Sequence, residues 1–206
     1  MKVVIFGATG AVGKLVVNNC LKKGFNVTAF IRKDPTEHAH SNLKFYVGDV
    51  NNIADVKKAI QQQDLVICVL GDGKVGKIRA AGTKNIIQAM EASGVNGLIC
   101  QTTLGMGDSY YNLNFVWKHI MFGWLLKNAF NDHKEQEDAI LKSRLDYTIV
   151  RPSALVDKTV PEKYKVGFDK NFKNLTLKIS KQEVADFITE QAQHPAYSKK
   201  AVSISH

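Results

Sequence analysis

The feature that most constrains this chain is a short apolar run, Val3 to Phe6, that ends in Gly7-Ala8-Thr9-Gly10-Ala11-Val12-Gly13. It passes at once into helical spacing, with Val12, Leu15, Val16, Cys20 and Leu21 on one face. A strand, a glycine-rich turn and a helix are therefore expected in immediate succession. A strand that is apolar throughout must be covered on both faces, and helices above and below a parallel sheet provide that cover. The rest of the chain continues the alternation. Strand candidates are Phe25 to Ile31, Leu43 to Val47, Leu65 to Leu70, Leu98 to Thr102 and Tyr147 to Val150. Helical segments are Ile53 to Gln62, Arg79 to Ser93 and Asp132 to Ser143, the last extending a helical stretch from about Asn112. The pattern predicts an α/β fold, a doubly wound parallel sheet, over residues 1–206 as one domain.

After Pro152 the pattern loosens into short strand candidates, Val160 to Phe168 and Leu175 to Ile179, followed by a helix. That helix opens on Ser180-Lys181-Gln182-Glu183, a capping box in which serine and glutamate each satisfy an amide of the first turn. Residues 152–206 are expected to cover the carboxyl ends of the strands.

Composition removes several alternatives. Three cysteines, Cys20, Cys68 and Cys100, are widely spaced and odd in number, so neither a disulfide framework nor a metal site is expected, and a cytoplasmic location follows. No membrane span is expected, because the longest apolar stretch, Phe115 to Leu126, is short and contains Lys118 and His119. The net charge of +9 is spread along the chain without a dense basic run, which argues for attraction of a small polyanion and against nucleic acid.

The glycine turn has a specific physical meaning. Gly7 permits a tight turn, Gly10 leaves the backbone amides open to a pyrophosphate, and Gly13 lets helix and strand approach closely. The helix amino end adds unpaired N–H groups and a positive dipole. Here the spacing is GxxGxxG, where the usual dinucleotide fingerprint reads GxGxxG. In this context the turn predicts dinucleotide binding and a Rossmann fold. The second strand ends in Arg32-Lys33, whose charges suit the 2'-phosphate of NADP(H), although Asp34 follows directly. Gly71 to Lys77 nearly forms a second phosphate loop, but Ile78 stands where a hydroxyl would have to hold magnesium. A flexible loop passing beside the cofactor is the expectation there.

These residues resemble the atypical short-chain dehydrogenase/reductase family, in particular the NAD(P)H-binding group that includes biliverdin-IXβ reductase/flavin reductase. The landmarks are GATGAVG at the start, Val47-Gly48-Asp49-Val50, Leu70-Gly71, Gln101-Thr102-Thr103, Leu145 to Ser153 with Val150-Arg151-Pro152-Ser153 at its end, and Ile179-Ser180 before Glu183-Val184-Ala185. The resemblance implies that Gly7, Thr9, Gly10, Ala11 and Val12 hold the pyrophosphate and that Arg32, with Lys33, takes the 2'-phosphate. It places Asp49 and Val50 at the adenine, and Leu70, Gly71 and Thr102 along the path to the nicotinamide. Pro152, Ser153 and Ala154 would flank the carboxamide. Thr103 stands where relatives carry a serine, and His133 matches a histidine near the substrate pocket. Ala154 replaces a further pocket histidine of those enzymes.

Most short-chain dehydrogenases use Tyr-x-x-x-Lys to exchange a proton with an alcohol. Four residues after the tyrosines at 46, 110, 111, 147, 164 and 197 stand Val50, Asn114, Phe115, Arg151, Phe168 and Ala201, none of them lysine. Hydride transfer to a conjugated acceptor, which delocalises charge and takes its proton from solvent, is the remaining chemistry. A flavin (FMN or FAD), a quinone or a linear tetrapyrrole fits, with Thr103 positioning the acceptor and His133 as a proton relay, Glu137 being in reach of it. The alternative is a non-enzymatic redox sensor similar to NmrA-like regulators. Val116, Ile120 and Trp124 lie at fourfold spacing with Trp117 and Met121 alongside, which predicts packed core; a lid over a planar substrate or a subunit contact is the other reading. A monomer or small homo-oligomer suits either.

Overall fold

Residues 1–33, 40–158 and 162–206 are described by a computed structural model of the chain. Strand β1 (Lys2–Phe6) has four consecutive buried residues, as its unbroken apolar run requires. Helix α1 (Ala11–Lys22) follows the glycine turn, then β2 (Asn26–Ile31), β3 (Leu43–Val47), α2 (Ile53–Ile60) and β4 (Leu65–Cys68). Next come α3 (Arg79–Ser93) and β5 (Gly97–Gln101), a 3-10 turn (Gly107–Asn112), a π-helix (Val116–Leu125) and α4 (Lys127–Leu141). The chain ends with β6 (Asp146–Pro152), β7 (Ala154–Val156), β8 (Lys165–Val166), β9 (Lys178–Ser180), α5 (Lys181–Gln193) and β10 (Lys200–Ser205).

The main sheet runs β3-β2-β1-β4-β5-β6-β10-β8, parallel throughout except for β8, which is antiparallel to β10. One face packs on α1 and α5 around Val16, Cys20, Val184 and Ile188. The other packs on α2, α3 and α4 around Val56, Ile86, Met90 and Ile140, with Cys68 and Cys100 beneath. The fold is thus the Rossmann-like, doubly wound arrangement. The strand order reverses between β1 and β4, and the crevice outside their carboxyl ends is where such sheets bind ligands.

Three expectations need correction. Residues 152–206 do more than cover the strand ends: β8 and β10 extend the main sheet itself. The sequence reading missed β10, whose alternation in Lys200 to Ser205 is carried partly by serines. Val160 to Phe168 is a strand only at Lys165–Val166 among the described residues, since 159–161 lie outside them, and Leu175 to Ile179 narrows to β9, paired with β7. Finally, the stretch from Asn112 is not one helix. It is interrupted around Leu113, and its middle section winds in the wider π form, with the Leu126 amide reaching the Met121 carbonyl at 2.6 Å. The capping box at Ser180 forms as read: its hydroxyl accepts from the Glu183 amide at 3.1 Å, and the Ser180 amide donates to the Glu183 carboxylate at 2.9 Å.

Candidate active site

The turn after β1 is dictated by close backbone packing. Gly7 has φ +88°, and a Cβ there would collide with the Val69 carbonyl beyond β4. A Cβ at Gly13 would collide with the Gly7 carbonyl, so the first turn of α1 lies directly on the strand end. Gly10 is the N-cap of α1 and offers no side-chain oxygen, and the first turn carries no acidic residue. The amides opening this helix are left for a ligand.

That turn forms one end of a cavity of about 710 Å3 at the switch point. Gly7, Thr9, Gly10, Ala11, Val12 and Arg32 line it, as do Val50, Leu70, Gly71, Thr102, Thr103, His133, Pro152, Ser153 and Ala154. Two residues proposed from sequence do not: Lys33 is exposed beside Arg32, and the Asp49 carboxylate accepts from the Asn51 amide at 2.9 Å, leaving Val50 as the wall. Asp34 lies outside the described residues. The cavity also takes in Leu113, Trp117, Phe122, Leu126, Leu155 and Leu177.

The Gly71 to Lys77 segment is pinned, contrary to the expectation of a flexible loop. Asp72 accepts from the Lys77 amide at 2.8 Å and pairs with Arg79 at 2.6 Å. Burial opposes ionisation of Asp72, but the Lys77 amide and the Arg79 charge outweigh it and hold its carboxyl below the usual range. Arg79 also donates to the Gly73 carbonyl at 3.2 Å. On its other side stands Asp132 of α4. Asp132 accepts from the Arg79 and Ala80 amides at 3.1 and 2.9 Å, capping α3 from a different helix, since its own N-cap, Ile78, cannot.

Beneath Thr102 and Thr103 runs a second buried ionic group. Arg151 binds Glu137 through two nitrogens, at 2.6 Å from Nη2 and 3.1 Å from Nε, and Asp108 at 2.9 Å through Nη1. Burial works against the guanidinium charge, but Glu137 and Asp108 more than compensate, so Arg151 stays protonated. Thr102 donates its hydroxyl to Glu137 at 2.6 Å, which leaves that hydroxyl no proton to offer a ligand. Glu137 therefore does not serve His133 as the sequence suggested.

His133 sits in the middle of α4 at the cavity wall. Burial, reinforced by the Arg79 charge, lowers its pKa to about 3 against Gln136 and Asp72, which pull the other way. Gln136 gives its amide hydrogens to Thr83 at 3.0 Å and Cys100 at 3.3 Å, so its carbonyl oxygen faces His133 Nδ1 at 3.1 Å and must accept. The ring is then the neutral Nδ1–H tautomer, and the expected proton relay lacks an imidazolium to give. Thr103 Oγ1 makes only a long bond to the Leu104 carbonyl, 3.3 Å.

Three polar atoms in the cavity wall, Arg79 Nε, Ser153 Oγ and Gln101 Oε1, have no hydrogen-bond partner among the described residues. Such buried orphans normally find one, and a bound polar ligand can supply it. Uncapped amides at one end and unpaired polar atoms along the path fit a nicotinamide dinucleotide. Gln101, Arg79 and the apolar wall were missed from sequence. The one local signal for Arg79 was a helix start without a capping residue.

Comparison with known proteins agrees. The chain is 26% identical to UPF0659 protein YMR090W of Saccharomyces cerevisiae, covering 99% of this chain and 92% of that protein. It is 25% identical to chloroplastic TIC 62 of Arabidopsis thaliana over 95% of this chain but only 34% of TIC 62. Among solved structures, ChuY of Escherichia coli O157:H7, an anaerobillin reductase, superposes with a TM-score of 0.79 at 24% identity, covering 99% of this chain and 96% of ChuY. Residues 7–195 match the NAD(P)H-binding family, and on that match, with the glycine turn and the switch-point cavity in place, the chain belongs to it.

Proposed function

We propose that the protein is an NADPH-dependent reductase that delivers hydride to a planar conjugated acceptor, a flavin, a quinone or a linear tetrapyrrole. The make-up of the cavity carries this reading. One end holds the open amides and Arg32, the other is walled by Leu113, Trp117 and Phe122, and the described lining includes no tyrosine, lysine, aspartate or glutamate to exchange a proton with an alcohol. When bound, the cofactor supplies the hydride. The chain's contribution is to bind, orient and exclude water.

Gly10, Ala11 and Val12, with the α1 dipole, take the pyrophosphate, and Arg32 takes the 2'-phosphate. Leu70 and Gly71 guide the chain of the ligand inward. Ser153 Oγ and Gln101 Oε1 meet the carboxamide between Pro152 and Ala154. Thr103 positions the acceptor. The acceptor's proton comes from solvent, since His133 is neutral. The activity of ChuY supports a tetrapyrrole among the acceptors. A reducing compartment such as the cytoplasm suits three buried free thiols.

The test is NADPH oxidation with FMN, a soluble quinone and biliverdin in turn. Consumption with any of them, at a rate far above that of NADPH alone, is expected. Tight NADPH binding with no turnover on all three would overturn the reductase reading in favour of a cofactor sensor.

A further inference from the structure

The π-helix has two apolar faces. Trp117, Phe122 and the adjoining Leu126 turn inward to the cavity and to Phe130, which stacks on Phe122 at 4.5 Å between centroids. Phe115, Val116, Ile120, Trp124 and Leu125 turn outward. Phe115 is 72% and Trp124 75% exposed. Apart from Tyr110 and Tyr111 just ahead of it, the other exposed large apolar side chains among the described residues, such as Val47, Val75 and Leu141, come from separate elements, so this cluster is the contiguous one. Packed core was the expectation for Val116, Ile120 and Trp124, and the structure reverses it.

Within the segment that carries the cluster the fixed charges have one sign, and the exposed Asp108 just ahead of it is paired with Arg151 at 2.9 Å. No aspartate or glutamate occurs from 109 to 131. Lys118 lies over the Tyr110 ring at 5.1 Å, Lys173 is fixed beside it by a 2.7 Å bond to the Tyr111 carbonyl, and Lys127 follows the helix directly. A second copy docked through the same helix would add lysines to the contact and no carboxylate of the helix to offset them. An anionic surface meets the same lysines favourably, while tryptophan and phenylalanine enter the headgroup boundary. We infer that the outer face of the π-helix docks the protein on an anionic lipid bilayer, lying in the interface plane without crossing it.

The inference stands on the surface alone and is independent of the acceptor. The full chain is sedimented with vesicles of phosphatidylcholine and of an equimolar mixture with phosphatidylglycerol, and tryptophan emission is followed in parallel. Binding at least about tenfold tighter to the anionic vesicles is expected, with a blue shift in emission. The double substitution Phe115→Ser and Trp124→Ser should weaken that binding about tenfold and abolish the shift, with NADPH affinity unchanged as the control for folding. Three outcomes overturn it: no vesicle binding, equal binding by the double variant, or a dimer that the double substitution dissolves.

Discussion

Arg32 and His133 show how differently two cationic residue types behave at one cavity. Arg32 is exposed at the end of the cavity that holds the glycine turn, where a guanidinium can grip a phosphate with two parallel bonds. Arg32→Glu is expected to raise the NADPH dissociation constant about tenfold or more and to leave that of NADH within about twofold, by titration calorimetry. Equal loss of both would remove the assignment to the 2'-phosphate. His133 is silent as an acid. Its depressed pKa means that the rate profile of the reductase should show no limb near the ordinary histidine value of 6.5. The same shift governs stability. Below 6.5 the unfolded chain binds a proton that the folded chain refuses until about pH 3. Stability therefore falls as pH drops through that window, by up to about 1.4 kcal/mol per pH unit from this one group. Urea midpoints measured from pH 7 downward should lose that part of their slope in His133→Asn.

At the scale of elements, the start of α3 depends on a residue from α4. Asp132 serves two amides and the Arg79 guanidinium, so its removal uncaps a helix and deprives a buried charge of one partner. Asp132→Ala should cost about 2–4 kcal/mol in urea unfolding, and Asp132→Asn less, because the amide oxygen still accepts. This dependence also marks where sequence reasoning stopped. Elements whose signals are local were legible: the glycine turn, the apolar strands β1 to β6, the end of helix α3 at Gly94 and the Ser180 box. Elements whose signals are tertiary were not. Strand β10 is held by pairing to β6 through Val202 and Ile204, and half of its inward positions are serine. The outward stripe of the π-helix followed from winding that no residue pattern announces, because Val116, Ile120 and Trp124 at fourfold spacing read equally as core.

At the scale of the molecule, the cavity joins parts of the chain that the sheet order alone brings together. The turns after β1, β4 and β5 meet the end of β6 there, so a ligand filling it ties both halves of the sheet to one another. NADPH binding only to the folded state should stabilise it by about 2.7 kcal/mol when free cofactor is about 100-fold above its dissociation constant. A thermal melt with and without NADPH reads this directly. The site itself was only partly legible. Residues that line the cavity at the turn, such as Gly10 and Ala11, were legible because the glycine pattern encodes them. Thr102 was found for its position, but its hydroxyl is spent on Glu137, a contact between distant segments that spacing does not reveal.

The three buried thiols give the two faces of the sheet separate clocks. Cys20, under α1 and α5, is pushed up to about 11 by burial, and Cys100, hydrogen-bonded to Cys68 under α3 and α4, is also driven well up. None reacts with an alkylating reagent until its own helical layer lifts away. Mass spectrometry after pulsed alkylation in mild urea therefore dates the peeling of each layer: simultaneous labelling at all three would mean that the molecule opens as one unit, and early labelling at Cys20 alone that the α1–α5 side detaches first.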